Sequence, residues 1–272
     1  MMLRCLSFAA SLIVLTSAWE PASAATPVNV QGSVALLPFV SAAAAAYQTK
    51  VPGITIAVTP SSSKAALAQT QTGGADIAMS DVAADDSSGL LEHKIAVIAF
   101  AVIVNPAAGV TNLTKAQLRD VLSGKVTNWK EVGGSDSKII LINRLRTSGV
   151  RRVVGRAILG KVPFVESGIV EDAAPSALAD VKAVPGALSY VTTIDARDQS
   201  GIVALAIDGV TPADENVTAG SYPIWAYERL YTNGPPNTDI SRFIAFVESD
   251  SVLLHQFGLI PMRDMRPSAV AP

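Results

Sequence analysis

The stretch KIAVIAFAVIVNP, residues 94–106, is a long run rich in β-branched side chains that ends at a proline. Residues of this kind favour β-strands, and proline cannot donate a hydrogen bond to a neighbouring strand. The stretch therefore predicts one long strand that stops near Pro106.

Upstream of this run, apolar stretches with strand character alternate with stretches of helical character. We predict strands at residues 28–30, 51–60 and 75–81, with helices between them at residues 40–50 and 61–74. An alternation of strands and helices is typical of an α/β fold built on a parallel sheet.

The same alternation begins again downstream of Pro106. We predict helices at residues 113–122, with Thr114 as N-cap, and at 149–159, 173–181, 238–248 and 251–257. Strands are predicted at residues 138–142 and 187–191, with a long extended stretch at 222–232. Two α/β lobes of roughly 100–150 residues each suit a chain of 272 residues.

The two long extended stretches are the natural places for the chain to cross between such lobes. The crossings are expected near residues 104–106 and near residues 222–231. We therefore expect lobe I to comprise residues 25–105 and 226–272, and lobe II to comprise residues 106–225.

The N-terminus has the features of a signal peptide. Arg4 precedes a short apolar segment at residues 6–18, and Ala-Ser-Ala at residues 22–24 fits a signal-peptidase site. We expect residues 1–24 to be removed after about Ala24 and the mature protein to reach the periplasm. Because the one cysteine, Cys5, lies in this segment, disulfides and zinc–thiolate sites are excluded from the mature chain.

Positive charge is concentrated in NRLRTSGVRR, residues 143–152, although the whole chain has a formal charge of −2. One basic cluster on such a chain argues against nucleic-acid binding. The cluster surrounds the turn at residues 147–149, and similar hydroxyl-bearing turns at residues 32–34 and 61–63 also precede predicted helices. Because helix N-termini present free N–H groups, three such turns together indicate an anion site.

Catalytic patterns are weak in this sequence. Ser61 and Lys64 have S-x-x-K spacing, but the partner motifs of serine acylases are absent. His93 and His255 have no G-x-S-x-G motif to join, and there is no H-E-x-x-H pair. We therefore expect no enzymatic activity, no cofactor and no metal.

Several motifs occur in the order that is found in a known family. They are GSVALLPF, AALAQTQTGGADIAMSD, VIVNP, LTKAQLRDVLSGKVTNWKEVGG, INRLRTSGVRR, VPGALSYV and SYPIWAYERLYT. Over nearly all of the mature chain, the sequence resembles the phosphate-binding proteins of bacterial phosphate ABC transporters, in the type II class of periplasmic binding proteins.

The resemblance implies two α/β lobes joined by two crossing strands, with inorganic phosphate held between them. It also implies a monomer that works with an ABC permease in the inner membrane. Matching positions assign phosphate binding to Ser33, the N–H of Val34 or Ala35, Ser61 or Ser62, Asp81, Arg144, Ser148, Gly149 and Val150.

Each implied role has a physical basis. Arg144 neutralises the anion with charge-assisted hydrogen bonds, and the serine hydroxyls and N–H groups donate further ones. Asp81 accepts the proton that hydrogen phosphate carries and sulfate lacks, so a fully ionised anion would be repelled.

Two positions depart from the family pattern. Val150 replaces a threonine, and Lys64 replaces a small residue of the second turn. The loss of one hydroxyl donor would weaken binding by around 1 kcal/mol, unless Lys64, Arg146 or Arg151 compensates. The alternative function is therefore a protein with an altered or lost anion site that acts in phosphate sensing, interaction or secretion.

Overall fold

The computed structural model describes residues 27–166 and 168–266, and the predicted signal peptide lies outside them. Within these ranges the strands are β1 Val28–Gly32, β2 Ile56–Pro60, β3 Ile77–Ser80, β4 Leu90–Val104, β5 Asn112–Leu113, β6 Ile140–Arg144, β7 Ile169–Glu171, β8 Ala187–Thr192, β9 Val203–Ala204, β10 Ala206–Ile207, β11 Trp225–Asn233 and β12 Leu259–Pro261. The helices are α1 Leu37–Lys50, α2 Ser63–Gln71, α3 Lys115–Leu122, α4 Gly149–Val154, α5 Ala174–Ala183, α6 Thr193–Ala196, α7 Asp214–Thr218, α8 Thr238–Ser249 and α9 Ser251–Gln256. In the described part of the chain, no helix combines the length and apolar character that crossing a bilayer requires.

The fold is α/β, as the sequence predicts, and its main sheet has the order β2-β1-β3-β11-β4-β8-β6-β7. Strand β1 pairs in parallel with β2 and β3, and β6 pairs in parallel with β7 and β8. These pairings agree with the parallel sheet that the sequence pattern indicates, but β4, which lies between the two groups, runs antiparallel to both β11 and β8. The chain leaves the first group of strands along β4 and returns along β11, so these two strands must run in opposite directions.

Strand β4 belongs to both groups of strands. Its residues from Leu90 to Ala99 pair with β11, and its residues from Phe100 to Val104 pair with β8. Residues 95–104 are all buried, which explains the uninterrupted apolar run in the sequence.

Strand β4 changes partners between Ala99 and Phe100, beside Trp225, the first residue of β11. The N–H of Phe100 donates to the carbonyl of Ile224 (3.0 Å), and the hydroxyl of Tyr222 donates to the carbonyl of Phe100 (2.9 Å). The two crossing segments are thus hydrogen-bonded to each other at this point. The lobe boundaries proposed from the sequence, at residues 105 and 225, stay a prediction.

Local sequence signals explain several helix ends. Thr114 caps α3 and forms a capping box with Gln117, which confirms the predicted N-cap. Ser62 caps α2, and its hydroxyl accepts a hydrogen bond from the N–H of Ala65 (3.1 Å). The helix predicted at residues 149–159 consists of α4 followed by the π-helical turn Gly155–Leu159.

Trp129 anchors the longest family-like motif to the core. It is fully buried, and its indole Nε1–H donates to the carbonyl of Gly186 (2.9 Å). It begins the short 3-10 turn Trp129–Val132, whose first turn is closed by a capping box between Asn128 and Glu131. This motif therefore folds as a unit that packs against the loop before β8.

We expect Trp129→Ala to lower the free energy of unfolding by about 3–5 kcal/mol, because it leaves a large cavity in the core. Urea-induced unfolding measures the change. Lys130→Ala is the matched control, since that side chain is exposed and its ion pair with Asp136 is a surface contact, so less than about 1 kcal/mol should be lost. Equal unfolding midpoints for Trp129→Ala and the parent would contradict this account of the core.

Candidate anion site

A pocket of about 420 Å³ lies where β4 exchanges its partners. It brings together all nine residues that the sequence analysis selected: Ser33, Val34, Ser61, Ser62, Asp81, Arg144, Ser148, Gly149 and Val150. Residues from β4 and β11 also line it, among them Ile98, Phe100, Ala226 and Glu228. The size is typical of a small-molecule site, and the ligand contacts of the nine residues stay predictions.

The first turn is shaped by Gly32. Its φ is +144°, and a Cβ atom there would lie 2.0 Å from the carbonyl oxygen of Met79 in β3. This close approach lets the N–H of Ser33 donate to the same oxygen (3.0 Å). The hydroxyl of Ser33 accepts from the N–H of Ala35 (3.2 Å), whereas the N–H of Val34 finds no acceptor among the described residues.

The three serines of the second turn make different contacts. Ser61 lines the pocket and donates to the carbonyl of Ser62 (3.1 Å), while Ser62 caps α2. Sequence reasoning missed Ser63, whose buried hydroxyl donates to Oδ1 of Asp81 (2.5 Å). Lys64 is exposed and is not a lining residue, so it does not compensate for any change inside the pocket.

Asp81 contacts the opposite wall of the pocket. Nη2 of Arg152 donates to both of its carboxylate oxygens (3.3 and 3.2 Å), and Nη1 of Arg152 donates to the carbonyl of Thr147 (3.1 Å). A Cβ atom at Gly149 would lie 2.2 Å from Oδ2 of Asp81, so only glycine allows this contact. The ion pair therefore joins the end of β3 to the start of α4.

Sequence reasoning missed Arg152 and offered Arg146 and Arg151 instead. Neither of these two lines the pocket, and both pair with Glu166. Arg151 is buried against the ring of Phe164 and donates to the carbonyl of Arg144 (2.8 Å). The helical position of Arg152, three residues after Gly149, was the available signal.

Arg144 ends β6 and is fixed before any ligand arrives. Its Nε donates to the carbonyl of Glu171 (3.2 Å) and its Nη2 to the carbonyl of Asp172 (2.8 Å). No described residue accepts a hydrogen bond from Nη1. Burial lowers the pKa of Arg144, and the nearby Tyr190, Asp195, Asp172 and Glu171 oppose that shift. Because an arginine pKa starts so high, the guanidinium keeps its positive charge.

The third turn opens α4 on the same side of the pocket as Arg144. Ser148 is the N-cap, and its hydroxyl accepts from the N–H of Arg151 (3.4 Å). The N–H groups of Gly149 and Val150 belong to the first helical turn and therefore have no acceptor within the helix. Val150 lines the pocket with an apolar side chain but retains this donor.

Glu228 is a second charged lining residue, after Arg152, that sequence reasoning missed. It lies on β11 and is only 1% exposed, and its Oε2 has no hydrogen-bond partner in the described part of the chain. Burial raises the pKa of Glu228 well above its usual range, the charge of Asp81 adds to the shift, and Arg229 opposes it. A glutamate inside an otherwise buried extended stretch was the sequence signal.

The remaining candidates from the sequence lie away from this pocket. His93 contacts the hydroxyl of Thr232 (3.1 Å), His255 lies 3.9 Å from Asp264, and neither lines the pocket. Within residues 27–166 and 168–266, no three His, Cys, Asp or Glu residues are grouped as metal ligands.

Comparisons with known proteins agree with this geometry. The model of the PBP superfamily domain matches residues 17–251. The phosphate-binding protein PstS of Bacillus subtilis is 36% identical over 248 residues, which cover 88% of this chain and 82% of that protein.

Two solved structures are similar over most of the chain. An ABC-type phosphate transport receptor from Vibrio cholerae has a TM-score of 0.77 and 25% identity, and the match covers 86% of this chain and 99% of that one. A phosphate ABC transporter substrate-binding protein from Clostridium perfringens, described as putative and solved with bound phosphate, has a TM-score of 0.73 and 27% identity. That match covers 87% of this chain and all of the other. The chain therefore belongs to the superfamily of periplasmic binding proteins and, within it, to the PstS-like phosphate-binding proteins of the type II fold.

Proposed function

We propose that this protein is an exported binding protein that captures inorganic phosphate in the pocket and delivers it to an ABC permease. The observation that carries the proposal is the set of unused donors around one cavity. Nη1 of Arg144 and the N–H groups of Val34, Gly149 and Val150 have no acceptor among the residues that the structure describes, and all four residues line the pocket. Donors converging on an enclosed space are what a tetrahedral oxyanion requires.

Arg144 supplies the main positive charge in this proposal. Its guanidinium is fixed by two carbonyl groups, so little side-chain freedom is lost when an anion binds. The hydroxyls of Ser33, Ser62 and Ser148 can act as further donors, because the oxygen of each accepts from a backbone N–H and leaves the hydroxyl hydrogen for an anion. Ser61 is the alternative to Ser62, and its hydroxyl would have to turn away from the carbonyl of Ser62 to donate.

Asp81 supplies selectivity in this proposal. Its carboxylate already accepts from Ser63 and Arg152 and has remaining lone pairs for the proton of hydrogen phosphate. Sulfate carries no such proton at neutral pH, so one of its oxygens would face a carboxylate oxygen of Asp81 with no hydrogen between them. Phosphate is therefore favoured over sulfate by electrostatic repulsion of the wrong anion.

The two groups of strands provide the two lobes that the proposed transport role requires. We infer that residues 25–105 and 226–272 form one lobe and residues 106–225 the other, with β4 and β11 as the crossings. Anion binding then favours the closed arrangement, since donors come from both sides. The protein acts as a monomer in the periplasm, with no covalent chemistry. The alternative role in sensing or secretion is not favoured, because all three donor turns are intact.

Titration of the phosphate-stripped mature protein by calorimetry tests the function and its main charge together. The parent should bind phosphate and show no heat with sulfate, and Arg144→Ala should bind phosphate at least about tenfold more weakly, because a charge-assisted hydrogen bond is worth about 1.5–3 kcal/mol. Arg146→Ala is the matched control, since Arg146 is exposed, does not line the pocket and pairs with Glu166. Undiminished binding by Arg144→Ala would refute the assignment of Arg144, and a parent silent toward phosphate would refute the function.

Asp81→Asn should relax the selectivity for phosphate over sulfate. The amide keeps the shape of the side chain but removes the negative charge, and its NH₂ group can donate to a fully ionised oxygen. Sulfate titration of the variant should give measurable heat where the parent gives none. Asp136→Asn, on the exposed Lys130 ion pair, is the control that should still reject sulfate. Persistent rejection by Asp81→Asn would show that another group distinguishes the two anions.

Gly149→Ala should weaken phosphate binding although it adds only one methyl group. The new Cβ would lie 2.2 Å from Oδ2 of Asp81, so the carboxylate must move away from the start of α4. We expect at least about a tenfold loss of affinity, with a helix that is otherwise compatible with alanine. Val153→Ala is the control, because it shortens a lining side chain of α4 without approaching Asp81. Gly133→Ala is unsuitable as a control, because Gly133 has a φ of +90° and alanine would strain the backbone there. If Gly149→Ala matched Val153→Ala in affinity, close packing of Asp81 against α4 would not matter for binding.

A further inference from the structure

Glu228 is a charged lining residue to which the proposed function gives no role. It lies on β11, two residues after Ala226, so both side chains face the pocket between the groups of strands. The side chain is almost completely buried, and its Oε2 accepts no hydrogen bond from the described residues. Buried oxygens without partners are rare, so this one calls for a ligand.

The surrounding cations do not neutralise Glu228. Arg229, the next residue, turns to Glu92 (2.6 Å) and to the carbonyl of Tyr227 (2.7 Å). Lys94 on β4 also pairs with Glu92 (3.7 Å). In the described part of the chain, no Lys, Arg or His nitrogen lies within 4.0 Å of the Glu228 carboxyl oxygens.

The two lining arginines are also engaged elsewhere. Arg152 pairs with Asp81, and Arg144 donates to the carbonyls of Glu171 and Asp172. The remaining charged group that faces Glu228 is Asp81, which disfavours a second negative charge. Burial without a counter-ion and a neighbouring carboxylate both favour a neutral carboxyl group.

The charge of the lining supports the same conclusion. The charged lining residues are Arg144, Arg152, Asp81 and Glu228. With Glu228 neutral, the two arginines outweigh Asp81 and the pocket has a net positive charge that attracts an anion. With Glu228 ionised, that attraction would be cancelled.

We propose that Glu228 is a further ligand-binding residue, which as a neutral carboxyl group donates its O–H to an oxygen of the bound anion. This inference rests on the proposed phosphate-binding function. The pocket then contains two carboxyl groups with opposite tasks, since Asp81 accepts a proton-bearing oxygen and Glu228 donates to a bare one. The preferred ligand is an oxyanion that offers both kinds of oxygen, which hydrogen phosphate does.

Calorimetric titration of the parent, Glu228→Gln and Glu228→Leu with inorganic phosphate tests the inference. Glutamine retains a neutral donor of the same length, so its affinity should stay within about threefold of the parent. Leucine fills similar space without a donor, so its affinity should fall about tenfold, the value of one hydrogen bond. Sulfate should give no heat with any of the three proteins, because Asp81 is unchanged.

Melting temperatures with and without saturating phosphate separate ligand binding from folding. A purely structural role would shift the melting temperature equally in both conditions. A ligand-binding role should reduce the rise that phosphate produces in Glu228→Leu and leave that rise intact in Glu228→Gln.

Results that would overturn the donor role of Glu228 can be told apart from results that would overturn the proposed function. Parent-like phosphate affinity in Glu228→Leu, or an equal loss in both variants, would overturn the donor role while leaving the proposed function in place. Sulfate binding by Glu228→Gln would also overturn it, because Glu228 would then repel anions as a carboxylate. If Glu228→Leu does not fold, Glu228→Gln alone decides the matter, and a loss beyond tenfold overturns the donor role. A parent that binds no phosphate would overturn the function and this inference together.

Discussion

The pairing of one strand with two sets of neighbours is the constraint on which the rest of this structure depends. Strand β4 is hydrogen-bonded to β11 and β12 over its first part and to β8 and β9 over its last part. Residues 95–104 of β4 are covered on both faces, so this part of the strand is apolar at every residue rather than at alternate ones. The backbone hydrogen bond from Phe100 to Ile224 then fixes the second crossing beside the first. The pocket lies at this junction because turns that open helices α1, α2 and α4 come together there from both groups.

Charge inside the pocket is balanced by contacts that leave some groups free and others engaged. Arg144 uses two of its nitrogens on carbonyl groups, and Arg152 uses its donors on Asp81 and Thr147. A pocket with every arginine fully paired would have little affinity left for an anion, and one with unsupported arginines would lose more entropy on binding. Arg144 lies between these two cases, because two of its nitrogens are held by carbonyl groups while Nη1 has no acceptor among the described residues. The proposed neutrality of Glu228 fits this balance, because it preserves the excess of positive charge.

The sequence was sufficient for those features that are determined by nearby residues. The capping box at Thr114, the cap at Ser62 and the helix after Ser148 each depend on a few adjacent side chains, and each was predictable. The antiparallel course of β4 and β11 was not, because it follows from where the chain goes over more than a hundred intervening residues. Short strands such as β5, β9 and β10 were also missed, since two residues carry no periodicity.

The same distinction applies to the site. The three donor turns were selected because a hydroxyl-bearing turn precedes each predicted helix, and Arg144 was selected because its position matches a known family. Ser63, Arg152 and Glu228 were missed, because their importance comes from contacts with Asp81 or from burial on a distant strand. The local signals for such contacts are weak, and the serine run and arginine cluster gave several candidates of equal standing.

The departure at Val150 can be judged from the backbone. A threonine at this position would offer a hydroxyl and an N–H, and valine removes only the hydroxyl. The N–H belongs to the first turn of α4, so its availability is set by helix geometry and not by the side chain. Gly149 beside it has no such freedom, because any Cβ atom would meet Oδ2 of Asp81 at 2.2 Å. Within one turn, therefore, we expect substitution to be tolerated at Val150, whose proposed contribution is its N–H, and to weaken binding at Gly149, where a Cβ atom would require the Asp81 carboxylate to move.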